Sequence, residues 1–333
     1  MNGPRAAAAA VAAGPLFGGV IRALEAVDRD RPDVLPVLTY HRVAEPDDDH
    51  YPGLISASPE GFARQIEDLG QRFSFIGLEP ILARAAGGPP IPARALLLTF
   101  DDAYRDFATS AWPILRERGI PAVLFVPTAF PGRSIAFWWD RLYAALIRTP
   151  RTEPLATGAG SLLVATRAQR VAAFRVLRGR IKTLAHPVAM AEVDDLVDRL
   201  GGDAPEPGRS SVLGWDDLRR LSAEGVTLAP HSRVHPLLER IDPSELDGEI
   251  DGSRADLVRE IGSAPAAFAY PSGSHSDRVV ERVASLGIGA AFTTIRGVND
   301  LRRADWQRLR RINVGGRSSP ALIRAQALGW LAR

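Results

Sequence analysis

Residues 95–104 read ALLLTFDDAY, an apolar run that stops at two adjacent carboxylates, Asp101 and Asp102. Such a run predicts a strand buried on both faces, as in a parallel sheet covered by helices. Neighbouring side chains on a strand point to opposite sides. The two aspartates can therefore work at one site only if the backbone turns there, and each then takes its own role, one toward a metal and one toward a proton. A plainer reading is open as well, in which Asp102 caps the next helix and Asp101 is a solvated turn residue.

Outward from this stretch the chain alternates between strand and helix. Strands are predicted at 34–41, 73–78, 122–126, 226–229, 266–270, 290–294 and 309–314. Helices are predicted from Ser58 and at 81–86, 107–118, 215–223, 243–261, 277–286 and 319–331. Ser58-Pro59-Glu60 supplies an N-cap and a first-turn proline, and Phe62, Ile66 and Leu69 follow at helical spacing. Short connections and this alternation predict a parallel α/β architecture. About seven units suit a closed or nearly closed barrel better than an open sheet, and pattern alone leaves both open.

Residues 129–212 interrupt the alternation and predict a mainly helical insertion within a barrel spanning 34–333. The insertion opens on FWWDRLYAAL at 137–146. A helix over 167–184 carries Val171, Phe174, Leu177, Ile181 and Leu184 on one side, His186-Pro187 ends it, and a more acidic helix covers 189–200. Residues 1–33, rich in alanine and glycine, predict a weakly ordered or peripheral segment. Their apolar run is too short and too weakly hydrophobic for a spanning helix, and export stays open. The expected location is cytoplasmic or peripheral to a membrane.

The 333 residues carry 41 basic and 39 acidic groups, a formal charge of +2, which argues against nucleic acid as a partner. Lys182 is the only lysine, and there is no cysteine. A disulfide framework, a thiolate metal site and a cysteine nucleophile are thereby excluded, so any metal must use His, Asp or Glu.

His231-Ser232-Arg233-Val234-His235 follows directly on a predicted strand. Two histidines four apart can converge on one ion if the segment makes a single turn, and Pro236 prevents that turn from becoming a helix. Imidazoles with a carboxylate suit Zn²⁺. In a parallel barrel the strand ends that carry these histidines and the aspartates form one rim. A third fragment, Phe268-Ala269-Tyr270-Pro271-Ser272-Gly273, runs from another strand end into a turn on that rim, where Tyr270 could line a groove.

Together the three fragments resemble the polysaccharide deacetylase (NodB-homology) family of carbohydrate esterases. Thr99-Phe100-Asp101-Asp102 is similar to its TFDD motif, and 231–235 to its H-S/T-x-x-H motif. The resemblance implies an irregular seven-stranded (β/α) barrel holding one divalent metal, most often zinc, by Asp102, His231 and His235. It also implies Asp101 as general base and the backbone N–H of Tyr104 as an oxyanion donor. Chemically this is coherent, because a metal polarises an acyl carbonyl and acidifies water while an adjacent carboxylate takes the proton.

Two positions depart from the family pattern. Ala269 stands where an arginine often orients the base, and the stretch 309–314 lacks the histidine that commonly serves as general acid. Arg311 or Arg310 could supply the charge near Asp101. His41, His275 or water could protonate the leaving amine, with Tyr270, Pro271 and His275 against the substrate. His50, in an acidic run, reads as a loop residue and His186 as a helix end. The aromatics of the insertion form its own core or stack on sugar rings, and its arginine-rich helix is either a solvated, acid-paired face or a surface for anionic sugar or lipid phosphate.

The expected function is metal-dependent removal of acetyl groups from an N-acetylated polysaccharide, oligosaccharide or glycan precursor, with a possible peripheral membrane or lipid-linked glycan contact. The same machinery could act on O-acetyl esters. A glycan-binding protein with little turnover is the reading from another class, and an unrelated barrel metallohydrolase is a third.

Overall fold

The computed structural model describes residues 15–27, 31–133, 136–201 and 211–328. The segment expected at 1–33, the insertion at 129–212 and the helix expected at 319–331 lie partly outside these ranges.

Seven short strands carry the fold: β1 (Val37–Tyr40), β2 (Ala95–Phe100), β3 (Val123–Val126), β4 (Thr227–Pro230), β5 (Ala267–Ala269), β6 (Ala290–Arg296) and β7 (Leu309–Asn313). They are hydrogen-bonded in the order β4-β3-β2-β1-β7-β6-β5, all parallel, and curl into a nearly closed barrel. The strand Ser74–Ile76 pairs with the first half of β2, on the edge whose second half β3 takes.

Side chains alternate across the barrel wall with period two. Val37, Leu97, Val123, Phe125, Ala229, Ala267, Ala269, Phe292 and Leu309 share the interior core. Their neighbours Leu38, Tyr40, Leu96, Leu98, Phe100, Leu124 and Val126 belong to the outer core beneath the helices. By the same alternation Thr99 and Asp101 follow Leu97 inward, and Arg311 follows Leu309. The top of the barrel interior is thus polar where its floor is apolar.

The surrounding helices form where local chemistry favours them. In α1 (Pro59–Gly70) the Ser58 side chain accepts from the Gly61 N–H, Pro59 sits in the first turn, and Phe62, Ile66 and Leu69 are buried. The helix expected at 107–118 begins with a π-helical turn, Phe107–Ala111, before Trp112–Glu117 continues as α-helix. In the insertion, α2 (Trp138–Arg148), α3 (Arg167–Ile181) and α4 (His186–Arg199) pack together. His186-Pro187 opens α4 as well as ending the preceding stretch, since Pro187 occupies its first turn after an extended Ala185. A two-stranded hairpin, Leu155–Thr157 with Gly160–Leu162, was not expected from the sequence. Three-residue strands carry too little alternation to read.

The arginines of α3 are partly matched by acids, Arg167 with Asp48 at 2.6 Å and Arg180 with Glu192 at 2.7 Å. Pro15–Val27 is helical and reaches Pro320–Gln326 through Glu25 and Arg324, 3.0 Å apart. No described helix is long and apolar enough to cross a membrane.

Candidate active site

The backbone turns where the adjacent aspartates required it to. Past the end of β2, Asp102 and Ala103 both take left-handed conformations, with φ of 74° and 51°. Such conformations cost about 1 kcal/mol or more each in non-glycine residues and persist where surrounding contacts enforce them. Here a two-residue bridge does so: the Arg105 N–H donates to Ser211 O at 2.8 Å, and the Leu213 N–H donates to Ala103 O at 3.0 Å. The bridge ties the aspartate loop to the end of the insertion. Among the described residues it leaves the Tyr104 N–H, which lies between those two bonds, without a partner.

Asp101 points into the barrel and meets Arg311, 210 positions later in the chain. Nη1 and Nη2 of Arg311 grip its two oxygens at 2.9 and 2.8 Å, a bidentate fork. Nε of the same guanidinium donates to Thr293 O at 2.8 Å, and its plane lies over the Phe125 ring. Burial alone would push the Asp101 carboxyl up, but Arg311, with help from the His231 and His41 rings, holds it below the ordinary carboxylate range. The carboxylate stays ionised inside a largely apolar barrel. Ala269 and Arg311 both face this interior.

Beside it, Asp102, His231 and His235 bring one ligand atom each within 4.8 Å of one another, all buried. His231 Nε2 and His235 Nε2 lie 3.5 and 3.3 Å from Asp102 Oδ1. That oxygen is buried and has no hydrogen-bond partner. His231 Nδ1 lies 2.7 Å from Ala269 O. A carbonyl only accepts, so Nδ1 carries the proton, and in the neutral ring Nε2 turns a lone pair toward Asp102. A carboxylate oxygen without a hydrogen-bond partner, set between the Nε2 atoms of two imidazoles, fits a cation, and the cluster is able to hold one metal ion. The same His231 bond spans the seam between β4 and β5, the barrel neighbours that no main-chain strand pairing joins among the described residues.

The histidine segment makes the single turn its spacing allowed. Ser232 and His235 have φ of 61° and 57°, the His235 N–H donates to Ser232 Oγ, and Glu249 accepts from the N–H groups of Arg233 and Val234 at 2.9 and 3.0 Å.

The family profile described as polysaccharide deacetylase matches residues 89–291, more than half of the chain and all three fragments. The chain belongs to the polysaccharide deacetylase family. No curated protein sequence matches it. Among solved structures it is similar to the Streptococcus pyogenes deacetylase PplD, solved in complex with acetate, at 19% identity, covering 90% of this chain and 99% of that one, with a TM-score of 0.60. IcaB from Ammonifex degensii is 19% identical, with 90% and 98% covered and a TM-score of 0.58. The BpsB deacetylase domain from Bordetella bronchiseptica is 18% identical, with 86% and 98% covered and a TM-score of 0.53. At these identities the likeness establishes a shared fold.

In this family member the insertion reaches into the site. The Tyr104 hydroxyl donates to Asp140 Oδ2 at 2.6 Å and accepts from Trp139 Nε1 at 2.9 Å. The other Asp140 oxygen accepts from the Tyr51 N–H at 2.7 Å. Phe137 and Trp139 stack on each other, 4.5 Å apart and nearly parallel, and both meet His235 edge-on. These aromatics are therefore core residues, shared between the insertion and the Asp102–His231–His235 cluster. Sequence reasoning missed Asp140 because one acid in an aromatic helix start carries no spacing signal. His50, read from sequence as a loop residue, has its ring against Tyr104.

Burial pushes the Asp140 carboxyl up to about 6, against the pull of His50 and of the hydrogen bonds from Tyr104 and Tyr51. The folded state thus holds this proton more tightly than the unfolded chain, so Asp140 costs stability as pH rises from about 4 through 6. Asp140→Asn keeps an acceptor for Tyr51 and offers a donor to the Tyr104 oxygen. Its stability relative to wild type is expected to improve by about 2 kcal/mol between pH 4.5 and pH 7, read from urea unfolding at both values. A difference independent of pH would contradict this.

The other expected site residues separate into two groups. His41, just past β1, lies close enough for its charge to act on both Asp101 and Asp102. Tyr270 does not line a groove, which corrects the sequence reading. It is fully buried in the outer core with Phe268, Val279 and Val283, and its hydroxyl donates to Gln307 O at 2.9 Å. Ala269 faces inward, so Tyr270, one residue on, faces out. Pro271 is buried beside it. The His275 ring packs on Tyr270 and its Nδ1 lies 2.7 Å from Gly273 O.

Proposed function

We propose that the chain is a zinc-dependent hydrolase that removes acetyl groups from an N-acetylated glycan or glycan precursor. The observation that carries this reading is the pairing of an ionised, arginine-locked Asp101 with an orphaned Asp102 oxygen facing two imidazoles. Asp102, His231 and His235 would hold the ion, and a nitrogen-rich set with one carboxylate suits zinc. When bound, the metal supplies Lewis-acid polarisation of the acyl carbonyl and acidifies water.

The chain's own groups have separable parts to play. Asp101 takes the proton of the attacking water, and Arg311 fixes the direction of its oxygens. The free Tyr104 N–H donates to the oxygen on which tetrahedral charge develops, a bond that strengthens toward the transition state. His41, beside both aspartates, delivers a proton to the departing amine. An amine needs that proton to leave, whereas an alcohol departs more readily, which is why His41 favours N-acetyl over O-acetyl substrates.

Acetate release from an N-acetylated glucosamine oligosaccharide and from acetylated xylan, each with zinc-loaded and chelator-treated protein, tests the reading. Release from the first, restored by zinc after chelation, is expected. Faster release from xylan would make the protein an O-acetyl esterase. Tight glycan binding with no release from either would make it a binding protein.

A further inference from the structure

The insertion carries the chain's only lysine to the rim. Lys182, at the end of α3, donates from Nζ to Ser272 Oγ at 3.1 Å. Ser272 belongs to the turn after β5 and is held in a left-handed conformation, φ 53°. Gly273 next to it, φ 71°, fixes that turn, since a Cβ there would collide with Thr294. The partner of Lys182 is thus presented by a backbone with little freedom to move.

Between the insertion and the rim lies a cleft of about 20 Å³, lined among others by Trp138, Lys182, His186, His235, Arg240 and Ser272. Its lining includes no acidic residue. Neither Lys182 nor Arg240 has an ion-pair partner among the described residues, in contrast to Arg167 and Arg180 of the same insertion. Burial and, after it, the Arg178 charge lower the Lys182 ammonium to about 8, against the pull of Asp102. Positive charge is therefore gathered in a partly desolvated cleft whose wall includes the candidate metal ligand His235.

We propose that Lys182 and Arg240 form a subsite for an anionic substituent, a phosphate or a carboxylate, carried by the glycan whose acetyl group meets the metal cluster. Two cations of different geometry suit such a group, with the ammonium as a point charge at the rim and the exposed guanidinium as a fork toward solvent. An anion there restores the charge balance that the cleft lacks and orients the sugar from the insertion side. The assignment of the anion to the substrate rests on the deacetylase reading, whereas the existence of the anion site does not.

The test uses Lys182 as its own reporter, because it is the only ε-amine in the chain. The full-length protein, zinc-loaded and zinc-free, is treated with pyridoxal 5'-phosphate or with pyridoxal, reduced with borohydride, and mapped by peptide mass spectrometry. The phosphorylated aldehyde is expected to label Lys182 about tenfold faster or more, and Arg240→Gln to erase most of that preference. Protection by inorganic phosphate points to a phosphorylated glycan, and stronger protection by glucuronate points to a uronate. Equal labelling by the two aldehydes, failure of both anions to protect, or no labelling at Lys182 overturns the proposal. None of these readouts needs turnover, so an inactive protein with a protected, phosphate-selective Lys182 would refute the deacetylase reading and leave the anion site standing.

Discussion

Replacing Arg311 by methionine is expected to lower stability by about 3 kcal/mol or more and turnover by at least about a hundredfold, with metal content unchanged. Arg311 and Asp101 are 1% and 3% exposed, so removing the guanidinium leaves a buried carboxylate without its ion-pair partner. Two responses are open to it. The carboxylate stays ionised and its desolvation destabilises the fold, or it takes up a proton and ceases to be a base. Either way its oxygens lose the fork that aims them. Arg311→Lys restores the charge without the planar fork and should recover more stability than turnover. Urea unfolding, metal analysis and acetate release on the three proteins separate these effects. Wild-type turnover in a destabilised Arg311→Met protein would make the arginine a structural group only.

The second large effect is the difference between neighbouring aspartates. Asp102→Asn is expected to lose metal and with it at least about a thousandfold in rate, because a neutral amide weakens the ligand set. Asp101→Asn is expected to keep the metal and still lose about 10²–10⁴-fold, the range for removing a positioned general base. One substitution removes the ion and the other removes the base, at adjacent positions of which the second is left-handed. Metal content measured beside initial rate gives the answer. If Asp101→Asn retained a tenth of the wild-type rate, Asp101 would not be the base.

Much of this site was legible in the sequence for a physical reason. ALLLTFDDAY and the segment 231–235 both place chemistry directly after an apolar run, and a parallel barrel collects all such ends on one rim. Arg311 was named from the chain as a possible charge near Asp101. What the sequence left open was the choice between Arg310 and Arg311, and alternation along β7 decides it, since Leu309 and Arg311 share the inward face. The same alternation would have placed Tyr270 outside, because Ala267 and Ala269 face in. Its place at a strand end on the rim suggested a groove, whereas its hydroxyl donates to the Gln307 carbonyl. Contacts made by the insertion were not legible at all. Asp140 and Lys182 act on residues 36 and 90 positions away, across a chain reversal that no local pattern encodes.

The last strand has a consequence for how the protein comes to be active. In the sheet β7 lies between β1 and β6, so it joins β4-β3-β2-β1 to β6-β5. During synthesis every expected metal ligand has left the ribosome before Leu309 is made. Without β7 the hydrogen-bonded order falls into two sheets, β4-β3-β2-β1 and β6-β5, and Asp101 lacks the guanidinium that keeps it charged. The keystone of the architecture and the support of the expected base are one segment, so an unfinished or C-terminally clipped chain could gather the metal ligands yet remain silent as a hydrolase. Closure of the fold would then be the event that switches the chemistry on.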